Sequence, residues 1–169
     1  MRQTAYMLIE LCVTMVLSAL PVRAQAATPA LLYYADAYAD HYGVPRVLVH
    51  SIISQESNWN PKATSSKGAA GIMQLMRGTA LKYGVRNPYS LLENLNGGVQ
   101  YLADLLREFH GDMRLAVAAY YCGAHRLEER GLAYRNQDTI AYVEAVRRRY
   151  RNELYELGRR KTVLPAGGQ

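Results

Sequence analysis

The chain is poor in cysteine: its 169 residues contain only Cys12 and Cys122. Cys12 lies in an apolar N-terminal segment that we expect to be removed, which would leave Cys122 as a single thiol. A fold that depends on several disulfides is therefore excluded, and the domain must be stabilised by its hydrophobic core. The four histidines are scattered and show no zinc-like spacing, so the sequence predicts neither a metal site nor another cofactor.

Long hydrophobic runs are also scarce, and the one clear example, residues 11–20, is too short to span a membrane comfortably. A basic residue precedes this run, Pro21 follows it, and small residues at positions 24–26 offer a cleavage site. The pattern is typical of a secretory signal peptide, which we place at residues 1–26. The sequence therefore predicts an exported protein with no transmembrane segment after cleavage.

Neither charge dominates strongly, although 20 Lys and Arg against 14 Asp and Glu give a formal net charge of +6. A basic exported protein is suited to the anionic polymers of a cell wall or to a membrane surface. The same charge would also suit nucleic acid, but the export signal argues against a nucleic-acid partner. Among the aromatic residues, 14 Tyr stand against one Trp and one Phe. Tyrosine offers a flat apolar face with a polar tip, which suits sugar binding, although it also fills partly wet core positions.

No segment alternates polar and apolar residues as a β-strand does, whereas apolar residues recur at helical spacing along most of the chain. The sequence predicts a mostly α, single-domain protein over residues 27–160, and we expect it to be a monomer. The predicted helices span residues 29–42, 45–57, 78–83, 91–109, 113–121, 124–130 and 138–157.

Three details of this prediction can be checked against a structure. Gly97 and Gly98 lie inside a predicted helix, where each costs about 1 kcal/mol, so we expect them to admit a closely packed neighbouring backbone. Asp138 or Thr139 is expected to cap the last helix. Residues 161–169 lack apolar periodicity and are predicted to be a disordered tail.

Glu56 is the only carboxylate in residues 41–92, and the predicted helix places it on the same face as Val49, Ile52 and Ile53. A charged carboxylate on an apolar stripe is costly to bury, and no nearby residue in the sequence is placed to pair with it. Such a setting raises the pKa of a carboxyl and makes a general acid that keeps its proton near neutral pH. The alternative is a solvated glutamate at a fraying helix end, which is the stronger reading of this residue taken alone.

The residues around Glu56 form a specific series of motifs. Glu56 begins E-S-N-W-N-P, and G-A-A-G-I-M-Q-L-M, A-V-A-A-Y-Y-C-G and T-I-A-Y-V follow in that order. Over residues 31–151 the chain resembles the catalytic domain of bacterial lytic transglycosylases of the soluble, Slt-like type. The resemblance implies a lysozyme-like helical domain with the catalytic Glu at the end of a helix facing a cleft. It also implies a periplasmic or otherwise exported enzyme that cuts the glycan strands of peptidoglycan.

The resemblance implies a mechanism that needs a single carboxylate, whereas most glycoside cleavage takes two. Glu56 would protonate the bond between N-acetylmuramic acid and N-acetylglucosamine, and the acetamido oxygen of the muramic sugar would stabilise the cation. The same residue, now a carboxylate, would remove the proton from the 6-hydroxyl of that sugar. The product would end in a 1,6-anhydro ring formed without water, and no cofactor is implied.

The resemblance also implies a set of substrate-binding residues, which are Ser65, Gln74, Met76, Tyr120, Tyr121 and Tyr142. Gln74 carries a donor and an acceptor and so could hold an acetamide group. Tyr142 matches a family tyrosine that lies near the catalytic Glu. Ser57 is expected to orient the backbone after Glu56, and Trp59 is expected to pack in the core.

Two motifs depart from the family pattern. The usual A-Y-N-A-G is A-Y-Y-C-G here, so Tyr121 stands where an Asn commonly contacts the acetamido group of the substrate. A phenol lacks the paired groups of an amide, so this departure predicts a changed subsite preference or rate. The usual Pro after M-Q-x-M is Arg77, a change that we expect to alter only a loop.

Other functions stay open at this point. A hydrolytic muramidase on the same fold would need a second carboxylate to activate water, for which Glu93 and Asp104 are the candidates. A non-catalytic wall-binding or assembly subunit is the second alternative, supported only by the altered A-Y-Y-C-G. A cysteine hydrolase using Cys122 and His125 is the weakest, because thiols at the end of an apolar helix are commonly buried and inert. Small exported members of the family often serve secretion, conjugation or pilus machines, so such a complex is a candidate partner beside the glycan strands.

Overall fold

The computed structural model describes residues 27–124 and 136–163, and within these ranges the secondary structure is helical, without a β-strand. The mostly α prediction is therefore confirmed. The helices are α1 (Pro29–Tyr42), α2 (Arg46–Glu56), α3 (Arg77–Lys82), α4 (Leu91–Glu108), α5 (Met113–Cys122) and α6 (Gln137–Val163). The predicted signal peptide and nearly all of the predicted helix over 124–130 lie outside the described residues, as does His125.

Helix boundaries follow from residues that satisfy the free backbone groups at helix ends. At the start of α1 the Thr28 side chain accepts a hydrogen bond from the backbone N–H of Leu31, and Gly43 ends the helix with a left-handed φ of 67°. At the start of α5 the Asp112 side chain accepts from the backbone N–H groups of Arg114 and Leu115. Both helices begin where the sequence predicted them to begin.

The cap of α6 differs from the prediction. The Asn136 side chain, and not that of Asp138 or Thr139, takes this role, because its Oδ1 accepts from the backbone N–H of Thr139 at 3.0 Å. A capping side chain must precede the first helical turn and reach an N–H about three residues on. Asn136 has that spacing, whereas Asp138 and Thr139 already lie inside the helix.

The end of α6 also differs from the prediction. The helix continues to Val163, so residues 161–163, which were expected to belong to a disordered tail, are helical. The segment is rich in Glu, Leu, Arg and Lys, which have good helix propensity, and Arg159 lies 3.9 Å from Glu156 one turn away. Helix propensity and local charge pairs therefore extend the helix beyond its apolar stripe.

The core lies between α2 and the helices around it. Helix α2 packs against α1 and α6, while α4 packs against α1, α3 and α5. The largest fully buried apolar side chains come from several of these elements and from the loop before α3: Val49, Ile52, Ile53, Ile72, Met73, Leu95, Val99, Leu102, Leu105 and Val146. Burial of these side chains provides the main stabilisation of the domain.

Gly97 and Gly98 allow close packing on α4, but the neighbours are mainly side chains and not the backbone that was expected. A Cβ atom on Gly97 would lie 2.4 Å from Cγ2 of Val85, and one on Gly98 would lie 2.5 Å from the sulfur of Met73. Gly98 therefore lets the loop that contains Met73 lie directly against α4, and Gly97 does the same for the segment after α3 that contains Val85.

A polar cluster on α2 joins three helices. Nδ1 of His50 lies 2.5 Å from Oε1 of Glu153 on α6, and Nε2 lies 2.8 Å from Oδ1 of Asp36 on α1. The ring of His50 also meets the edge of Trp59, which is buried as predicted. Burial disfavours the imidazolium, but the hydrogen bond and charge of Glu153, together with Asp36, outweigh it and raise the pKa of His50. His50 thus joins α1, α2 and α6 through its contacts with these two carboxylates.

Candidate active site

Glu56 is the last residue of α2 and lines a cleft of about 600 Å³. Val49, Ile52 and Ile53, which share its face of the helix, are fully buried. The burial of this apolar face fixes the orientation of α2 and so places the Glu56 carboxyl at the cleft, in the arrangement that the sequence predicted.

Burial sets the ionisation of Glu56. It raises the pKa of the carboxyl to about 7, and a hydrogen bond from the Tyr142 hydroxyl to Oε1 acts in the opposite direction. Burial wins because it disfavours the charged form, and a neutral phenol supplies no compensating positive charge. Near neutral pH a large fraction of Glu56 therefore keeps its proton, as a general acid must.

Two stacked tyrosines lie beside Glu56, and one of them lines the cleft. Tyr142 on α6 is buried, whereas Tyr121 near the end of α5 is 43% exposed and lines the cleft. Their rings are stacked, with centroids 4.5 Å apart and an angle of 22° between the planes. Stacked in this way, the pair brings Tyr121 against the residue that contacts Glu56.

The loop between α2 and α3 is held by side-chain to backbone hydrogen bonds. The Ser57 hydroxyl donates to the Ile72 carbonyl at 2.7 Å and so ties the end of α2 to this loop, in line with its expected orienting role. Nε2 of Gln74 donates to the carbonyls of Ala63 and Gly71 at 3.0 and 2.8 Å. These two bonds fix the orientation of the Gln74 amide, so its Oε1 remains the group that can accept from a ligand.

A tight turn at the cleft carries Ser65 and Lys67. Oγ of Ser65 accepts from the backbone N–H of Ala69 at 3.0 Å, and the N–H of Gly68, with a φ of 84°, donates to the Ser65 carbonyl. The hydroxyl hydrogen of Ser65 therefore remains able to donate to a ligand. Lys67 lies exposed within the turn and lines the same cleft.

Tyr120 and Met76 have different surroundings. Tyr120 is almost fully buried, and its hydroxyl donates to the Met73 carbonyl at 2.8 Å, so this group supports the wall of the cleft from behind. Met76 is 49% exposed at the cleft, whereas Met73 is fully buried in the core. A substrate contact is therefore open to the Met76 side chain but not to the Tyr120 hydroxyl in this conformation.

Comparison with known proteins identifies this arrangement. Residues 33–143 match the family described as Transglycosylase SLT domain. The chain belongs to this family. Through it, the SLT domain described here belongs to the lysozyme-like superfamily, as the resemblance implied.

Individual relatives agree with the family match. A transglycosylase of Enterobacteria phage PRD1 is 39% identical over 85 residues, which cover 50% of this chain and 32% of the phage protein. The soluble lytic murein transglycosylase of Escherichia coli K12 is 33% identical over 120 residues, covering 64% of this chain and 19% of that protein. The chain thus spans between a fifth and a third of the length of these relatives.

A solved structure shares the fold. The lytic transglycosylase Slt of Pseudomonas aeruginosa, solved as an inactive mutant in which a Glu is replaced by Gln, superposes with a TM-score of 0.64 at 26% identity. The match covers 73% of this chain and 24% of that one. The helical architecture of the SLT domain is therefore shared with a much longer protein.

The second carboxylates that the sequence offered do not line the cleft. Glu93 accepts from the backbone N–H groups of Arg86 and Asn87, which lowers the pKa of this carboxyl. Asp104 pairs with Arg107 and accepts from a tyrosine hydroxyl. In the described part of the SLT domain, the acidic side chain that shares the cleft with Glu56 is instead Asp138.

The sequence analysis did not identify Asn94, whose side chain holds two loops beside the site. Its Oδ1 accepts from the backbone N–H of Met73 at 2.8 Å, and its Nδ2 donates to the carbonyls of Ala70 and Pro88 at 3.0 and 2.8 Å. Asn94 is 1% exposed, and one amide thus satisfies three backbone groups of two loops. The available signal was a single Asn on the apolar face of the α4 pattern, one residue before Leu95.

Several cleft residues were also absent from the prediction. They share positions on loops or helix ends and are Lys67, Ala69, Cys122, Asn136, Asp138 and Thr139. Among the residues that the structure describes, no group of three or more His, Cys, Asp and Glu side chains could hold a metal ion. None of the described helices is long and apolar enough to cross a membrane.

Proposed function

We propose that this chain is a peptidoglycan lytic transglycosylase in which Glu56 acts first as an acid and then as a base. The observation that carries the proposal is the buried Glu56 carboxyl, whose pKa of about 7 lets both protonation states exist near neutral pH. A group that must give and then take a proton works best when its pKa lies near the working pH.

In the first step Glu56 gives its proton to the glycosidic oxygen that joins N-acetylmuramic acid to N-acetylglucosamine. The bond from this oxygen to the anomeric carbon breaks, and the N-acetylglucosamine side leaves as an alcohol. The acetamido oxygen of the muramic sugar stabilises the cation at the anomeric carbon, which replaces a second protein carboxylate.

In the second step the Glu56 carboxylate takes the proton from the 6-hydroxyl of the same muramic sugar. The freed oxygen bonds to the anomeric carbon and closes the 1,6-anhydro ring, and the proton taken from the 6-hydroxyl returns Glu56 to its acid form. The Tyr142 hydroxyl supports the intermediate state, because a donor at Oε1 favours the charged carboxylate over the neutral acid.

The other cleft residues have groups that fit an N-acetylated sugar. The Ser65 hydroxyl hydrogen and Oε1 of Gln74 provide a donor and an acceptor on the same wall. Met76 exposes apolar surface in the cleft against which a sugar ring can pack. We assign Ser65, Gln74 and Met76 to substrate binding and leave Tyr120 as a structural support of the wall.

Two comparisons support the substrate and the catalytic group. The relatives from Escherichia coli and Salmonella are named soluble lytic murein transglycosylases. The Pseudomonas aeruginosa Slt is described as inactive when one Glu is replaced by Gln. We assign the same substrate to this chain and the same importance to Glu56.

We further propose that the protein acts in the periplasm as a monomer after cleavage of residues 1–26. Its basic character suits contact with the anionic polymers of the wall, and a secretion, conjugation or pilus complex is the partner class that fits an enzyme of this kind.

A hydrolytic muramidase is the second candidate, because Asp138 lies in the same cleft as Glu56. In that reaction Asp138 would activate a water molecule and the product would carry a reducing end. The altered Tyr121 and Cys122 positions do not favour a non-catalytic subunit, since the Glu56 site is otherwise complete.

Mass spectrometry of purified peptidoglycan after digestion tests these candidates. We expect anhydro-muropeptides from the wild type and from Glu144→Gln, a matched control whose carboxylate is exposed on α6, and no products from Glu56→Gln. Reducing ends that disappear in Asp138→Asn would establish the muramidase instead. Anhydro products that persist in Glu56→Gln would refute the assignment of the acid.

A further inference from the structure

The stack of Tyr121 on Tyr142 is distinctive in this molecule. In the described part of the chain the other aromatic pairs meet edge-on or at tilted angles of 33° or more, whereas these two rings lie within 22° of parallel. The rings come from different helices, α5 and α6. The contact therefore couples the orientation of Tyr121, which lines the cleft, to that of the buried Tyr142.

Tyr142 is the member of the pair that touches the reacting group. Its hydroxyl donates to Oε1 of Glu56, and its ring is 7% exposed. A tyrosine hydroxyl can hold this position only while the ring keeps its rotamer, because the donor lies at the far end of the ring. Whatever fixes the ring of Tyr142 therefore also fixes the hydrogen bond to Glu56.

Tyr121 is placed to fix the ring of Tyr142, because the two rings are stacked. One face of its ring covers the ring of Tyr142, while the residue is 43% exposed and lines the cleft. The stack is therefore a specific contact that this side chain makes within the fold.

We propose that Tyr121 is a positioning residue, whose ring fixes Tyr142 in the orientation that holds Glu56. The inference rests on the proposed function of Glu56. It differs from the role expected by resemblance, in which the residue at this position contacts the acetamido group of the substrate. A positioning role depends on the ring, whereas a substrate hydrogen bond depends on the hydroxyl.

The distinction can be tested with three variants and one control. Tyr121→Ala removes the ring, Tyr121→Asn installs the residue usual in the family, and Tyr121→Phe keeps the ring without its hydroxyl. Tyr155→Ala removes a 64% exposed tyrosine from the distal half of α6 and controls for loss of a surface ring. Circular dichroism and thermal melting check that each variant is folded.

The first readout needs no substrate: the titration of the Glu56 carboxyl, followed by NMR with carbon-13 at Cδ and assigned by comparison with Glu56→Gln. The titratable groups facing Glu56 are Tyr120 and Tyr142, which stay neutral at pH 7, while Lys67, Tyr121 and Asp138 share the cleft. We expect Glu56 to titrate near 7 in the wild type and in Tyr121→Phe. In Tyr121→Ala the pKa of Glu56 should rise, because Tyr142 can then leave the orientation in which its hydroxyl donates to Oε1 and lowers that pKa.

The second readout is the pH dependence of kcat and KM on peptidoglycan fragments. Loss of the stack should lower kcat by roughly two- to twelvefold with little change in KM, and should move the alkaline limb of activity to higher pH. Tyr121→Phe should recover most of this loss, and Tyr155→Ala should match the wild type. Tyr121→Asn should behave as Tyr121→Ala does.

Three results would overturn the proposal. Equal impairment of Tyr121→Phe and Tyr121→Ala would assign the role to the hydroxyl, and a higher KM with an unchanged pH profile would make Tyr121 a substrate contact. A Tyr121→Ala protein with the titration of the wild type would show that the stack has no effect on Glu56. Since the titration is independent of turnover, it decides the matter even if the wild type proves inactive on peptidoglycan.

Discussion

Replacement of Asn94 provides the most direct test of how the loop before α3 is held. Asn94→Ala leaves the backbone N–H of Met73 and the carbonyls of Ala70 and Pro88 without their partner. At about 1–2 kcal/mol for each orphaned group, the expected loss in the free energy of unfolding is on the order of 4 kcal/mol. This is a large fraction of the total free energy of unfolding of a typical domain, which is about 5–15 kcal/mol.

Asn94→Asp is a sharper test because it keeps the shape of the side chain. The acceptor for Met73 remains, but an oxygen replaces the donor that faces the carbonyls of Ala70 and Pro88. The folded state then favours the neutral acid, so the pKa of the new carboxyl rises above its unfolded value of about 3.9. Its stability deficit should be smallest below about pH 4 and should grow as the pH rises toward the folded pKa.

Urea denaturation followed by circular dichroism, at pH 5 and pH 7.5, measures both effects. Asn96→Asp is the matched control on the same helix, since Asn96 uses only its oxygen, which accepts from the Tyr42 hydroxyl at 2.7 Å. We expect this control to stay within about 1 kcal/mol of the wild type. A wild-type stability for Asn94→Asp, or a deficit that shrinks as the pH rises, would refute the reasoning.

Three further predictions concern ionisable groups. Tyr142→Phe removes the donor that lowers the pKa of Glu56, so the alkaline limb of kcat/KM should move up by on the order of one pH unit; a fixed or lowered limb in the pH profile would contradict this. His50→Gln should destabilise most below about pH 6.5, and thermal melts should show the deficit shrinking as the pH rises through the raised pKa of His50; a deficit that grows with pH would oppose the assignment. Lys67→Met should lower kcat/KM roughly two- to fivefold on strands that carry stem peptides, whose carboxylates Lys67 can pair with, and should leave stripped strands unaffected. Lys67→Arg is the charge-preserving control, and equal losses on both kinds of strand would exclude a contact with the peptide.

The helices could be predicted from the sequence because their signals are local. Thr28, Gly43 and Asp112 cap helices through neighbours within a few residues, and the stripe that ends at Glu56 repeats with the helical period. The fold family could be predicted because several motifs occur in a fixed order. These features do not depend on which helix packs against which.

Other parts of the site depend on contacts between distant segments, which periodicity does not report. An Asn on an apolar helix face gives no indication of which loop it holds, and Asn94 proved to hold two. Asp138 reads locally as a helix cap, yet it reaches the cleft while Asn136 supplies the cap. Gly98 suggested a close neighbour but not that the neighbour is the sulfur of Met73. Sequence alone does not predict such pairings, because the residues near each side chain are compatible with many different partners.

The hydrogen bond between Tyr142 and Glu56 joins residues 86 positions apart in the chain. A contact of such high sequence separation forms only after the intervening helices have docked, so the carboxyl cannot acquire its buried setting early in folding. A nascent chain, or one truncated before Tyr142, would contain Glu56 but would leave it an ordinary solvated acid. The carboxyl of Glu56 therefore acquires its raised pKa only when the fold is complete, and an unfinished chain would be inactive without a separate inhibitor.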